Sequence, residues 1–183
     1  MAKKKVAKKK TADKKRRRMT MDTMFGTDKI FEIVRNMELD GAQFYRQAAE
    51  KTSNDDVKQM LLDLAAMEDG HLQIFEQMRK ELSKDKKNKN LFAADNQAAM
   101  YLKAMADGPG GEGIKSPLGG ISGNETTKEI LEIAIEGEKA SILFYTGLKE
   151  LVPNKANKDK IEAVIKEELS HVIALNLNLT VLG

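Results

Sequence analysis

Glu68-x-x-His71 recurs one hundred residues later as Glu168-x-x-His171, and each copy interrupts a run of apolar residues at helical spacing. A further glutamate stands thirty residues before each motif, Glu38 before the first and Glu138 before the second. Seven residues after each of these comes a tyrosine, in Phe44-Tyr45 and Phe144-Tyr145. Both histidines of the chain and four of its carboxylates therefore form two copies of one pattern. Any fold that buries this pattern must give the carboxylates partners, because a buried unpaired carboxylate protonates or finds a counter-charge.

The spacing around the motifs predicts where they lie. Val57, Leu61, Leu64, Glu68, His71, Phe75, Met78 and Leu82 follow one another in alternating steps of four and three, the seam of a helix packed in a bundle. Ile161, Val164, Glu168, His171 and Leu175 repeat it. Upstream, Phe31, Val34, Glu38, Gly41, Tyr45 and Ala48 form a matching stripe, as do Leu131, Ala134, Glu138, Ser141, Tyr145 and Leu148. Four helices are expected: from about Thr27 or Asp28 to Lys51, from after Asn54-Asp55-Asp56 into the lysine-rich stretch 83–89, from near Thr126 to before Pro153, and from about Lys158 almost to the C-terminus. Thr126-x-x-Glu129 has the form of a capping box. Short turns make the first two helices, and the last two, antiparallel hairpins. About forty residues join the hairpins, with a short helix expected over Phe92–Ala106 and loop over the glycine-rich 107–123, where Pro109 and Pro117 lie. So long a link permits a crossover along the bundle, and the hundred-residue offset reads as duplication of one hairpin.

Composition narrows the chemistry. The chain has no cysteine, which excludes disulfides, thiolate metal sites and a cysteine nucleophile. No stretch approaches the roughly 18 apolar residues of a membrane span, and the basic N-terminus lacks the apolar run of a signal peptide, so a cytoplasmic location is expected. Charge is divided: residues 1–18 carry eleven Lys/Arg against Asp13, while the remaining chain has 20 basic and 27 acidic residues. Residues 1–26 are expected to form a disordered basic tail and residues 27–183 the folded domain. Such a tail suits nonspecific, salt-sensitive nucleic-acid binding, and the absence of an aromatic residue before Phe25 argues against base stacking.

Four glutamates converging in one core repel one another. Two divalent ions, with neutral imidazoles, would balance them at +4 against −4. Glu and His three residues apart share a helix face and can reach one ion together. Oxygen and nitrogen donors without thiolate suit iron or manganese, with zinc as a substitute in vitro. Glu38, Glu68, His71, Glu138, Glu168 and His171 are thus the candidate metal ligands.

On these residues, and on Glu68-Asp69-Gly70-His71 and Glu168-Leu169-Ser170-His171 in particular, the chain resembles the ferritin-like superfamily over about residues 27–183. Within it the likeness is to the rubrerythrin and bacterioferritin branch of diiron carboxylate proteins. The resemblance implies an all-α, ferritin-like four-helix bundle with a long crossover connection between its second and third helices. It implies two iron ions per chain, manganese being the alternative, that react with O2 or hydrogen peroxide and draw on an external electron donor. A homodimer is implied as well, and Tyr45 and Tyr145 would hydrogen-bond ligand carboxylates. Some features depart from the branch. Ser141 stands where rubrerythrins carry a further carboxylate, the chain lacks the cysteines of a rubredoxin-like domain, and Asp69 stands where bacterioferritins use a methionine for haem, so no haem is expected.

The function expected from this reading is a non-haem diiron oxidoreductase, either a ferroxidase or a rubrerythrin-like peroxide reductase. Two alternatives stand beside it. One is a DNA-associated or structural bundle working through its basic tail, the other a small iron-binding carrier without turnover.

Overall fold

The computed structural model describes residues 27–84, 97–107 and 121–182; the expected basic tail over 1–26 and most of the glycine-rich link lie outside the described residues. The described chain is all-α, with α1 (Thr27–Lys51), α2 (Asp55–Ser83), α3 (Gln97–Asp107), α4 (Thr127–Leu151) and α5 (Lys155–Leu182).

Local chemistry sets the helix starts. The Asn54 side chain accepts from the backbone N–H of Val57 at 3.0 Å, so Asp55 and Asp56 fall inside the first turn of α2, where their charge suits the helix dipole. Thr126 and Glu129 form the expected capping box at the start of α4. Pro153 holds Val152 in extended backbone and ends α4. Helix α5 begins about a turn earlier than its apolar stripe suggests, because the Asn154 side chain accepts from the Asn157 N–H at 2.8 Å and caps it there.

Residues 52–54 join α1 to α2, and 152–154 join α4 to α5. Links this short force each pair into an antiparallel hairpin, and the helices of each pair pack along their length. Two apolar layers fill the interior. One gathers Ile30, Phe31 and Val34 of α1, Phe75, Met78 and Leu82 of α2, Phe144, Tyr145 and Leu148 of α4, and Ile161 and Val164 of α5. The other gathers Tyr45 and Ala48, Val57, Leu61 and Leu64, Leu131 and Ala134, and Leu175.

The order in which each helix meets the layers gives the topology. Helices α1 and α5 pass from the first layer to the second, and α2 and α4 pass from the second to the first. Of the four bundle helices, α2 and α4 are therefore parallel. The link between them must travel back along the bundle, about 43 Å for a helix the length of α2. This is the crossover expected from its length. Helix α3 lies on α4, with Ala99 and Leu102 buried and Met105 half-buried; Phe92 of the expected stripe lies outside the described residues. Gly147 permits that approach, since a Cβ there would come within 2.8 Å of the Tyr101 ring and 3.0 Å of Leu102 Cδ2. No described helix is long and apolar enough to cross a membrane.

Candidate metal centre

Between the two apolar layers lies a polar belt. Glu38 of α1, Glu68 and His71 of α2, Glu138 of α4, and Glu168 and His171 of α5 all point into it, and none is more than 5% exposed. The four-and-three spacing is the cause: a position that continues an apolar seam is buried whether or not its side chain is apolar. The fold brings all six sequence-selected residues together.

They form two overlapping groups. Glu38, Glu68, His71 and Glu168 make one and Glu68, Glu138, Glu168 and His171 the other, with one donor atom from each residue lying within 4.8 Å of the rest. Glu68 and Glu168 belong to both. The His71 and His171 rings stack with centroids 5.7 Å apart. Each imidazole turns Nδ1 toward the carboxylates: His71 Nδ1 lies 3.3 Å from Glu168 and 3.7 Å from Glu38 and Glu68. His171 Nδ1 lies 2.9 Å from Glu168, 3.2 Å from Glu138 and 3.4 Å from Glu68.

The tyrosines tie the hairpins together. Tyr45 of α1 donates to Glu138 of α4, and Tyr145 of α4 donates to Glu38 of α1. Burial, and then the neighbouring glutamate charge, holds each phenol's pKa well above its usual value, so both keep the proton they donate. Glu38 Oε2, His71 Nδ1 and both Glu168 oxygens approach one another or His171 Nδ1 as ion pairs at 2.9–3.7 Å but make no well-aligned hydrogen bond among the described residues. Donor atoms crowded together without hydrogen bonds are what a shared cation would satisfy.

The metal-free belt is balanced by protons. Burial pushes Glu38 and Glu138 well above the usual carboxylate range. Burial acts on Glu168 in the same direction, but the His171 and His71 imidazoles outweigh it and hold that carboxyl down at about 2. Burial alone would lower both histidines; the glutamates around them dominate, pushing His171 up to about 12 and His71 well above its usual value. At neutral pH both imidazoles are therefore protonated, and Nδ1 must lose its proton before it can ligate an ion. Filling the belt with two Zn2+ ions should release at least two protons. Apparent affinity for the pair should then fall by at least about a hundredfold for each unit the pH drops. Calorimetry in buffers of different ionisation enthalpy measures the release, and binding that does not vary with pH would contradict this electrostatic picture.

Some groups around the belt are not on any stripe. Glu167 of α5 reaches back to His71 Nε2 at 2.9 Å. It lies off the apolar stripe and is not among the residues the sequence pattern selects. The only hint is a broken repeat, since the residue one hundred positions earlier is Met67. Asp69 pairs with Arg46 at the surface. Gly41 faces Glu68, where a Cβ would make ordinary contact at 3.4 Å, and a Cβ at Gly70 would meet nothing within 4 Å.

Residues 29–108, which take in α1, α2 and α3, match the rubrerythrin family model. A crystal structure described as a ferritin-like diiron-carboxylate protein, from Thermotoga maritima, matches the fold with a TM-score of 0.58, covering 82% of this chain and 91% of that one at 23% identity. The chain has the ferritin-like fold, and its first hairpin is similar to the rubrerythrin family. The structural match covers more of the chain than the family match does, and Glu138, Glu168 and His171 are supplied by α4 and α5, outside the family match. No curated protein matches the sequence.

Proposed function

We propose that this ferritin-like chain holds two iron ions between its hairpins and acts as a diiron oxidoreductase, oxidising Fe2+ as a ferroxidase or reducing hydrogen peroxide in the manner of a rubrerythrin. The observation that carries the reading is the pair of overlapping donor groups with Glu68 and Glu168 in common. The donor set fits the metal: four carboxylates and two imidazole nitrogens match two hard-to-borderline divalent cations in charge and ligand type. The buried Glu38, His71 and Glu168 atoms, crowded together without well-aligned hydrogen bonds, supply the ligand positions. Glu38 and His71 would hold one ion, Glu138 and His171 the other, and Glu68 and Glu168 would span both.

Two ferrous ions held by these six residues would supply two electrons to an oxidant, and an external donor would restore them. The residues do the rest. Tyr45 and Tyr145 fix the carboxylates of Glu138 and Glu38 from across the bundle, so neither is free to swing. The apolar layers on either side keep bulk water from the belt, which strengthens each electrostatic contact inside it.

Mixing Fe2+-loaded protein with hydrogen peroxide or with O2 in a stopped-flow spectrometer tests the reading. Two Fe2+ should be oxidised per peroxide, as H2O2 takes two electrons and two protons to give two waters, and faster than iron free in buffer. Oxidation no faster than free iron with either oxidant would leave a carrier. The alternative of a DNA-associated bundle draws on the eleven Lys/Arg of residues 1–18. It requires that deleting those residues abolish the main activity while Glu68→Ala does not; the oxidoreductase reading requires the reverse.

A further inference from the structure

The duplicated hairpins make the two halves of the belt nearly equivalent. Glu38 mirrors Glu138, His71 mirrors His171, and the Tyr45–Glu138 hydrogen bond mirrors Tyr145–Glu38. One contact has no mirror image. With Nδ1 turned toward the carboxylates, His71 Nε2 faces outward and meets Glu167 Oε2 at 2.9 Å. His171 also turns Nδ1 inward, but its buried Nε2 has no hydrogen-bond partner among the described residues. The repeat explains the difference, since the position that would serve His171 is occupied by Met67, which has no carboxylate to offer.

An imidazole that ligates through Nδ1 carries a proton on Nε2. A carboxylate accepting that proton fixes the tautomer, locks the ring orientation and raises the basicity of the ligating nitrogen. We propose that Glu167 is a positioning residue for His71 and makes the Glu38–His71 half of the belt the tighter one, so that divalent ions load in order, that half first and the Glu138–His171 half second. This rests on the metal reading above and deepens it: the two positions are unequal because of one residue outside the ligand set. The Glu167 side chain is 47% exposed, so exchanging it removes the contact without opening the core.

The chain has two histidines, both in the belt, so the order of filling is directly visible. Zn2+ alone, which is diamagnetic and redox-silent, is titrated into metal-free protein and followed by imidazole 15N NMR, with stepwise affinities from calorimetry. Single-histidine variants assign the two signals. The first equivalent should move the His71 signal and the second that of His171, with the two steps separated by about tenfold or more. Glu167→Ala should weaken the first step by about tenfold or more and make the two signals move together, with circular dichroism establishing that the metal-free bundle is still folded. Glu167→Ala combined with Met67→Glu should reverse the order, which a merely structural role for Glu167 would not do. Simultaneous movement in the natural protein, or an order unaffected by Glu167→Ala, overturns the proposal and leaves the metal reading standing. If neither signal moves with two equivalents, the metal reading fails and this one falls with it.

Discussion

Glu168→Ala should strip the chain of both metal ions, whereas Glu38→Ala should cost it one. Glu168 sits in both donor groups, with one oxygen 3.3 Å from His71 Nδ1 and the other 2.9 Å from His171 Nδ1. Glu38 belongs to a single group. Losing a group outside the ligand set typically weakens a metal site about 10- to 100-fold, so losing a carboxylate common to both sites should weaken each step by about 100-fold or more. Glu168→Gln keeps the volume and one carbonyl oxygen, and it separates lost ligation from lost packing. Metal analysis after desalting, with circular dichroism to establish that the bundle is intact, reads the result. Retention of one ion by a folded Glu168→Ala variant would show that Glu168 serves only one position.

The largest expected effect on stability lies one turn from the belt. Phe75 follows His71 by four residues on α2, is 1% exposed and packs with its ring centroid 4.9 Å from that of Tyr145. Phe75→Ala should cost about 3–5 kcal/mol, from lost transfer free energy and the cavity left behind. Phe75→Leu should cost less, roughly 1–2 kcal/mol, because most of the volume is kept. The cavity opens against Tyr145, whose hydroxyl holds Glu38, so the alanine variant should also bind its first ion more weakly. Urea unfolding measures the first effect and calorimetry the second. A cost below about 1 kcal/mol would mean that this layer is not packed to the density of a protein interior.

How much of this was legible in the sequence depends on whether a feature is local. The burial of Glu68 and His71 could be read because each continues an apolar stripe, and the Thr126–Glu129 cap because its signal spans four residues. The hairpins followed from short turns and the crossover from a long link. What the sequence could not give is anything set by how one helix is rotated against another. Which glutamates lie between both histidines depends on the packing of α2 against α5. The Tyr45 hydroxyl meets Glu138 across a separation of 93 residues, and its resemblance-based role named no partner. Glu167 lies off the stripe and reaches a histidine 96 residues away, so periodicity gives no reason to select it. The early start of α5 is a different miss: the Asn154 cap was present in the sequence, but it precedes the first apolar seam position, Ile161, by two turns and was overlooked.

The measurement that bears most directly on the whole account is the stoichiometry of Fe2+ binding to metal-free protein under anaerobic conditions, by calorimetry with metal analysis of the product. The account predicts two ions per chain, bound with release of protons. Failure of a folded chain to bind iron tightly, with the iron kept ferrous, would contradict it.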